Sequence, residues 1–304
     1  MRYNRLDLNM LPALRAVLTE RNVTRAAEAL HVTQSAMSSI LARLREYFDD
    51  PLIVPYGRRL ELTPLAEQLL VRVNDLLVRV DTTLATKPEF DPSTSTRSFS
   101  IVASDYVNLV LLADVLRDVA DLAPGVTVEI RQPTDAAVAE MLAGELDFHI
   151  NPVTMLPGEH PSIELFADTF RVVVDQSNPG VGDTMSLTQY QSLGHVVFRN
   201  SGMPLFDRWL AKTHGEPRVE VAVANFSSLA PMVIGTRRIA TLHTRFAMKA
   251  AELYPIRVVK LAFETPPFVE MLQWHTYRDS DPGMIWMRER ITRRAHELQA
   301  SADI

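Results

Sequence analysis

The chain has 304 residues, 47% of them apolar, a formal net charge of −6 and no cysteine. That size is enough for two or three cored domains, and the missing cysteines exclude a disulfide framework, a thiolate zinc site, a cysteine nucleophile and a redox-sensing thiol. The apolar runs fall far short of a bilayer span and the N-terminus lacks a charged-then-apolar leader, so a cytoplasmic protein with no membrane partner is expected.

Charge is distributed unevenly along the chain. Residues 1–63 carry nine Arg against seven Asp or Glu, a net +2, which leaves −8 on the remainder. The basic residues coincide with a helix pair. Thr24 can cap a first helix with Ala26, Ala27 and Leu30 at helical spacing, and after a His31-Val32 turn Thr33 can cap a second. On that second helix Ala36, Met37, Ile40, Leu41 and Leu44 form an apolar stripe, opposite a small polar face of Gln34, Ser35, Ser38, Ala42 and Arg45. A face of that kind fits a DNA major groove, where Gln and Arg read adenine and guanine edges. Two short β segments, Leu52–Pro55 and Arg58–Leu62, flank Tyr56-Gly57 as a small wing, with Arg58 and Arg59 near its tip for phosphate or minor-groove contact. The candidate DNA contacts are therefore Thr33, Gln34, Ser35, Ser38, Ser39, Arg43, Arg45, Arg58 and Arg59. So small a basic footprint needs several copies for useful affinity.

Thr63-Pro64 opens a long helix over residues 64–86, in which Leu69, Val73, Leu76 and Val80 alternate four and three apart. This pattern predicts a dimerising helix of roughly 35 Å. Residues 87–97, KPEFDPSTSTR, form a hinge with no regular period. From residue 98 strands alternate with helices, which predicts two α/β lobes built on parallel strands: lobe I over about 98–167 and 268–304, lobe II over about 168–267. Strand ends and helix N-termini converge in a cleft between such lobes. The candidate ligand contacts at these ends are Ser104, Asp105, Asn151 and Pro152 on one wall, Asn225, Phe226 and His243 on the other, and Phe268 near the return crossover. Polar residues at element ends also serve as caps, Ser227 and Thr244 most plainly.

The stretch from Leu6 to Glu67 resembles the DNA-binding domain of LysR-type transcriptional regulators. The C-terminal half resembles the same family in its aromatic-inducer-sensing branch, which contains the nodulation regulator NodD and the salicylate-responsive NahR. The matching stretches are SDYVNLV (Ser104–Val110), LGHVVF (Leu193–Phe198), GTRRIATL (Gly235–Leu242) and QWHTYRDSDPGMIWMRE (Gln273–Glu289). The resemblance implies a winged helix-turn-helix domain, a linker helix and a two-lobed effector domain like the periplasmic binding proteins. It also implies a dimer of dimers on double-stranded promoter DNA, contact with RNA polymerase, and a small aromatic inducer, with His195, Asn225 and Phe226 placed at that inducer. This chain departs from the family at Ser35, where the recognition helix often has proline, and at Leu242-His243, where the branch has Met-Pro. The inducer is therefore expected to differ from the branch's flavonoids, with a phenol or an aromatic acid suiting the wall.

No catalytic template is present. The 11 glycines form no phosphate-cradling loop or dinucleotide fingerprint, and no nucleophile elbow or zinc-protease motif occurs, so neither an enzyme, a metal site nor a cofactor is expected. The alternatives are a solute-binding module or a helix-turn-helix-fused enzyme using the same cleft. The first should have a leader peptide, and the second a nucleophile or acid–base pair.

Overall fold

A computed structural model of the chain describes residues 6–57, 59–85, 89–156, 158, 160–199 and 204–301. It divides into two compact units, Met1–Thr86 with Leu142–Glu145, and Lys87–Met141 with Leu146–Ile304.

The first unit contains α1 (Leu11–Glu20), α2 (Val23–Ala29), α3 (Gln34–Phe48), the strands β1 (Ile53–Tyr56) and β2 (Arg59–Leu62), and α4 (Pro64–Ala85). The cap of α2 is Asn22 rather than Thr24: its side chain accepts from the Thr24 and Arg25 N–H groups. Asn22 is the residue still in extended backbone just before the helix, which is what an N-cap requires. His31 turns the chain in the left-handed region, with φ 53°. The Thr33 hydroxyl then accepts from Ala36 N–H and starts α3. Met37, Leu41 and Leu44 are buried against Leu14, Val17, Leu18, Ala26 and Ala27, each fully buried leucine contributing about 1.5–3 kcal/mol. Ala36, expected on this stripe, is exposed. It lies outside the arc that Met37, Leu41 and Leu44 bury.

β1 and β2 pair antiparallel with Ile53 opposite Leu62 and Tyr56 opposite Arg59. Gly57, at φ +60°, makes the reversal in a conformation few other residues adopt. The predicted wing contact Arg58 lies outside the described residues. Thr63 caps α4 by accepting from Ala66 N–H, and donates its own proton to Asp50 Oδ1. The expected seam on α4 is not one surface. Val73 is 4% exposed in the core of the unit, where Leu69, Leu70 and Leu77 also pack, while Leu76 and Val80 remain 42% and 44% exposed.

The second unit runs β3 (Ser98–Val102), α5 (Asp105–Val107) continuing through a π turn into α6 (Ala113–Leu122), β4 (Thr127–Arg131), α7 (Asp135–Leu142), β5 (Phe148–Pro152), β6 (Ser162–Asp168), β7 (Phe170–Asp175) and β8 (Thr184–Met185). It continues with α8 (Leu187–Ser192), β9 (Gly194–Phe198), α9 (Leu205–Thr213), β10 (Arg218–Val223), β11 (Ile239–His243), α10 (Thr244–Leu253), β12 (Ile256–Leu261), β13 (Phe268–Gln273) and α11 (Pro282–Ala300). One lobe holds the sheet β4-β3-β5-β13-β6 and the other the sheet β10-β9-β11-β7-β12-β8. Neither sheet is wholly parallel, contrary to the alternation of the sequence. The chain passes directly from β6 to β7 and returns from β12 to β13, and β13 and β7 run antiparallel to both of their neighbours.

Residues 89–97 are docked rather than loose. Phe90 packs 6.3 Å from Phe99 and 5.3 Å from Trp286, and Asp91 accepts from Ser93 and Thr94 to form a turn. Arg97 donates to Asp281, the cap of α11, and to Asp147, which also accepts from Arg278 and from Ser100 N–H. Among the described residues no helix is long and apolar enough to cross a membrane.

Candidate functional site

The polar face of α3 is exposed at Gln34, Ser35, Ser38, Ser39, Ala42 and Arg43. Thr33 spends its hydroxyl on the cap and on Ser35 Oγ, 3.0 Å away. Arg45, expected to read a base, is committed elsewhere: its Nε donates to Pro51 O at 2.8 Å and Nη2 to Ile53 O at 3.4 Å. It lies at the end of α3 where the chain turns into β1, so the guanidinium fastens the wing to the helix. Arg59 is exposed beside the very exposed Tyr56 on that wing.

The second unit encloses a cavity of about 220 Å³ between its lobes. Of the predicted contacts, Ser104, Asn151, Pro152 and Phe268 line it from the first lobe, and His195, Phe226 and His243 from the second. Ser104 also caps α5 through Val107 N–H. His195 is buried with Nε2 donating to Tyr190 O, and burial lowers its pKa.

Asp105 and Asn225 are absent from the lining, and backbone N–H groups take both side chains. Asn225 accepts from Ser228 N–H and caps a short 3-10 turn. Asp105 accepts from Phe226 N–H at 3.1 Å and from Ser227 N–H at 2.7 Å, so a carboxylate of one lobe holds the backbone of the other.

Rings dominate the wall. Phe226 stacks on Phe198 at 4.3 Å and 4°, and His243 stacks on Tyr106 at 4.0 Å and lies 4.3 Å from Phe268. Tyr106 donates its hydroxyl to Asp168 at 2.7 Å, at the point where β6 crosses to the second lobe. Burial lowers His243 to about 3 and His149 to about 4, so both imidazoles are neutral, while burial and nearby Asp168 push Glu270 up to about 8. His149 Nε2 accepts from Asn151 Nδ2 at 3.4 Å, which leaves its proton on Nδ1. Among the described residues His149 Nδ1, His243 Nδ1 and Glu270 Oε2 are buried with no hydrogen-bond partner, and all three residues line the cavity. Buried polar atoms are nearly always paired. Three orphans around one cavity leave polar groups there that no described residue of the protein satisfies.

Tyr106, His149 and Glu270 were not singled out by the sequence. The available signal was a charged or titratable residue interrupting an apolar strand, as in FHI and FVEML. Among the described residues no group of three or more His, Asp or Glu could hold a metal ion.

The family profile described as bacterial regulatory helix-turn-helix protein, lysR family, matches residues 8–67, and that of the LysR substrate binding domain matches residues 93–296. The chain is similar to nodulation protein D 1 of Rhizobium tropici, 38% identical over 98% of both chains, and to nodulation protein D 2 of Rhizobium leguminosarum bv. phaseoli, 39% identical over 99% of this chain and 96% of the relative. Its structure is similar to that of a probable transcriptional regulator from Pseudomonas aeruginosa, with TM-score 0.65, 27% identity and coverage of 96% and 98%. The fold also matches full-length CbnR complexed with its target DNA, with TM-score 0.51, 18% identity and coverage of 95% and 100%. The chain belongs to the LysR family: it is a DNA-binding transcriptional regulator with an effector-binding domain, not an enzyme.

Proposed function

We propose that this regulator binds promoter DNA through α3 and the wing, assembles through α4 into a dimer of dimers, acts in the cytoplasm beside RNA polymerase, and is switched by a small aromatic effector held between its lobes. The observation that carries the switch is the cavity itself, ringed by Phe198, Phe226, Phe268, Tyr106 and His243 and set with three unpaired buried polar atoms. A planar ring can stack where Phe226 and His243 already stack, and its polar groups can meet the orphans.

The coupling follows from Phe226. Its ring lines the cavity while its backbone N–H is held by Asp105 of the other lobe. An effector that fits one closure state better than the other shifts the lobes, and one of equal affinity for both shifts nothing. Thermal denaturation of the full chain against a panel of small phenols and aromatic acids tests this. A true effector should stabilise by about 2.7 kcal/mol at a hundredfold excess over its dissociation constant. Calorimetry should show weaker binding to Phe226→Ala, and an effector that binds this variant unchanged would place the site elsewhere.

A further inference from the structure

We propose that Glu270 faces the effector as an uncharged carboxylic acid that donates a hydrogen bond, so that the cleft selects neutral aromatic molecules bearing an acceptor and refuses aromatic carboxylates. The inference rests on the reading that the cleft takes an aromatic effector, and it decides between the two chemical classes which that reading leaves open.

Glu270 sits in the middle of β13, in register with Pro152 of β5 and Phe166 of β6. It is 2% exposed, lines the cavity, and its Oε2 accepts nothing from the described residues. An ionised carboxyl in such a place needs a cation or several donors. The neighbouring elements supply neither. β6 contributes Asp168, a second carboxyl, which is already occupied by the Tyr106 hydroxyl and by Arg245 N–H. α5 contributes Tyr106, whose proton is spent on Asp168. β5 contributes His149 and Asn151, and β11 contributes His243; burial keeps both imidazoles neutral. α10 contributes Arg245, whose guanidinium donates to Leu298 O, Ala167 O and Gln299 Oε1.

No lysine or arginine lines the cavity among the described residues, whereas Asp135, Asp207 and Glu270 do. Asp207 is bonded to Arg199. With desolvation and Asp168 pushing Glu270 up to about 8, its acid form prevails at neutral pH. A protonated carboxyl is a donor as well as an acceptor. A carbonyl, ether or phenolic oxygen can take that proton's hydrogen bond. A carboxylate would bring a further negative charge into a buried wall with no cation to meet it.

Two measurements on the full chain test this. The first is infrared difference spectroscopy of wild type against Glu270→Gln, which reads the carboxyl without any ligand. Wild type should show the carbonyl band of a protonated acid at neutral pH, bleaching as pH rises through about 8 and missing from the variant. A carboxylate signature at neutral pH would overturn the proposal. The second is calorimetric titration with para-methoxyacetophenone and para-methoxybenzoate, which share a ring, have no phenolic proton and differ in charge. The neutral probe should bind roughly tenfold or more tighter, weaken as pH rises through about 8, and lose that pH dependence in Glu270→Gln, which keeps a neutral donor. Equal or tighter binding of para-methoxybenzoate would overturn the selectivity. If neither probe binds while the infrared band is present, the aromatic reading of the cleft is what fails, and the selectivity falls with it.

Discussion

The exposed face of α3 and the cleft between the lobes, as the proposed contact surfaces for DNA and effector, would recognise their partners by opposite physical means. On α3 the polar side chains Gln34, Ser38, Ser39 and Arg43 stand in water, which satisfies them until bases replace it. In the cleft the polar groups His149, His243 and Glu270 are withdrawn from water and left unpaired. A surface of the first kind costs the fold nothing and can be rewritten residue by residue. A wall of the second kind carries a standing penalty, about 1–3 kcal/mol for each unsatisfied group, that only a ligand or ordered water relieves. Specificity for DNA can therefore drift freely, whereas specificity in the cleft is tied to stability.

The sharpest way to separate fold from assembly lies on α4. Val73 belongs to the core of its own chain while Leu76 is exposed, although both belong to one heptad-like series. Val73→Asp places an unpaired charge in that core at a cost of several kcal/mol, a large part of the 5–15 kcal/mol available to a domain. Loss of the N-terminal unit's melting transition is expected. Leu76→Asp should change stability by only about 0.5 kcal/mol, as at other exposed sites, yet shift the sedimentation profile toward smaller species. An unchanged profile for Leu76→Asp would remove α4 from the interface.

A smaller effect is expected at the junction of the lobes. Asp105→Ala deprives the Phe226 and Ser227 N–H groups of their acceptor, at a cost of about 1–3 kcal/mol. Hydrogen exchange at those two amides should accelerate while amides of β3 and β9 stay protected. Unaltered protection at Phe226 and Ser227 would show that the carboxylate does not hold the lobes together.

How much of this was legible in the sequence follows the same division. The helix pair, its Thr33 cap and the polar face of α3 could be read because helical periodicity is local. The expected cleft residues Phe226, His243 and Phe268 lie at or just beyond strand ends, where α/β topology gathers sites. Glu270 and His149 lie within strands, and only the three-dimensional neighbours reveal that they are buried and unpaired. Asp105, Asn225 and Arg45 depart from expectation in one way: each is polar and well placed, but a backbone group holds its side chain.

Arg45 gives the finest test, because it sits beside Gln34 on the wheel of α3 and differs from it only in what it touches. Gln34 has no side-chain bond to the described residues, so Gln34→Ala should leave stability unchanged and cost about 1–3 kcal/mol on one preferred sequence while random DNA binds as before. Arg45→Gln removes the tether to Pro51 and Ile53 that fixes the wing against the helix. It should lower stability by about 1 kcal/mol and weaken preferred and random sequences alike, since a misplaced wing loses phosphate contacts that carry no sequence information. Gel shifts on both DNAs, read beside thermal melts, distinguish the two. A loss confined to the preferred sequence for Arg45→Gln would make it a base reader despite its bonds, and would mean that the wing swings away from α3 when DNA binds.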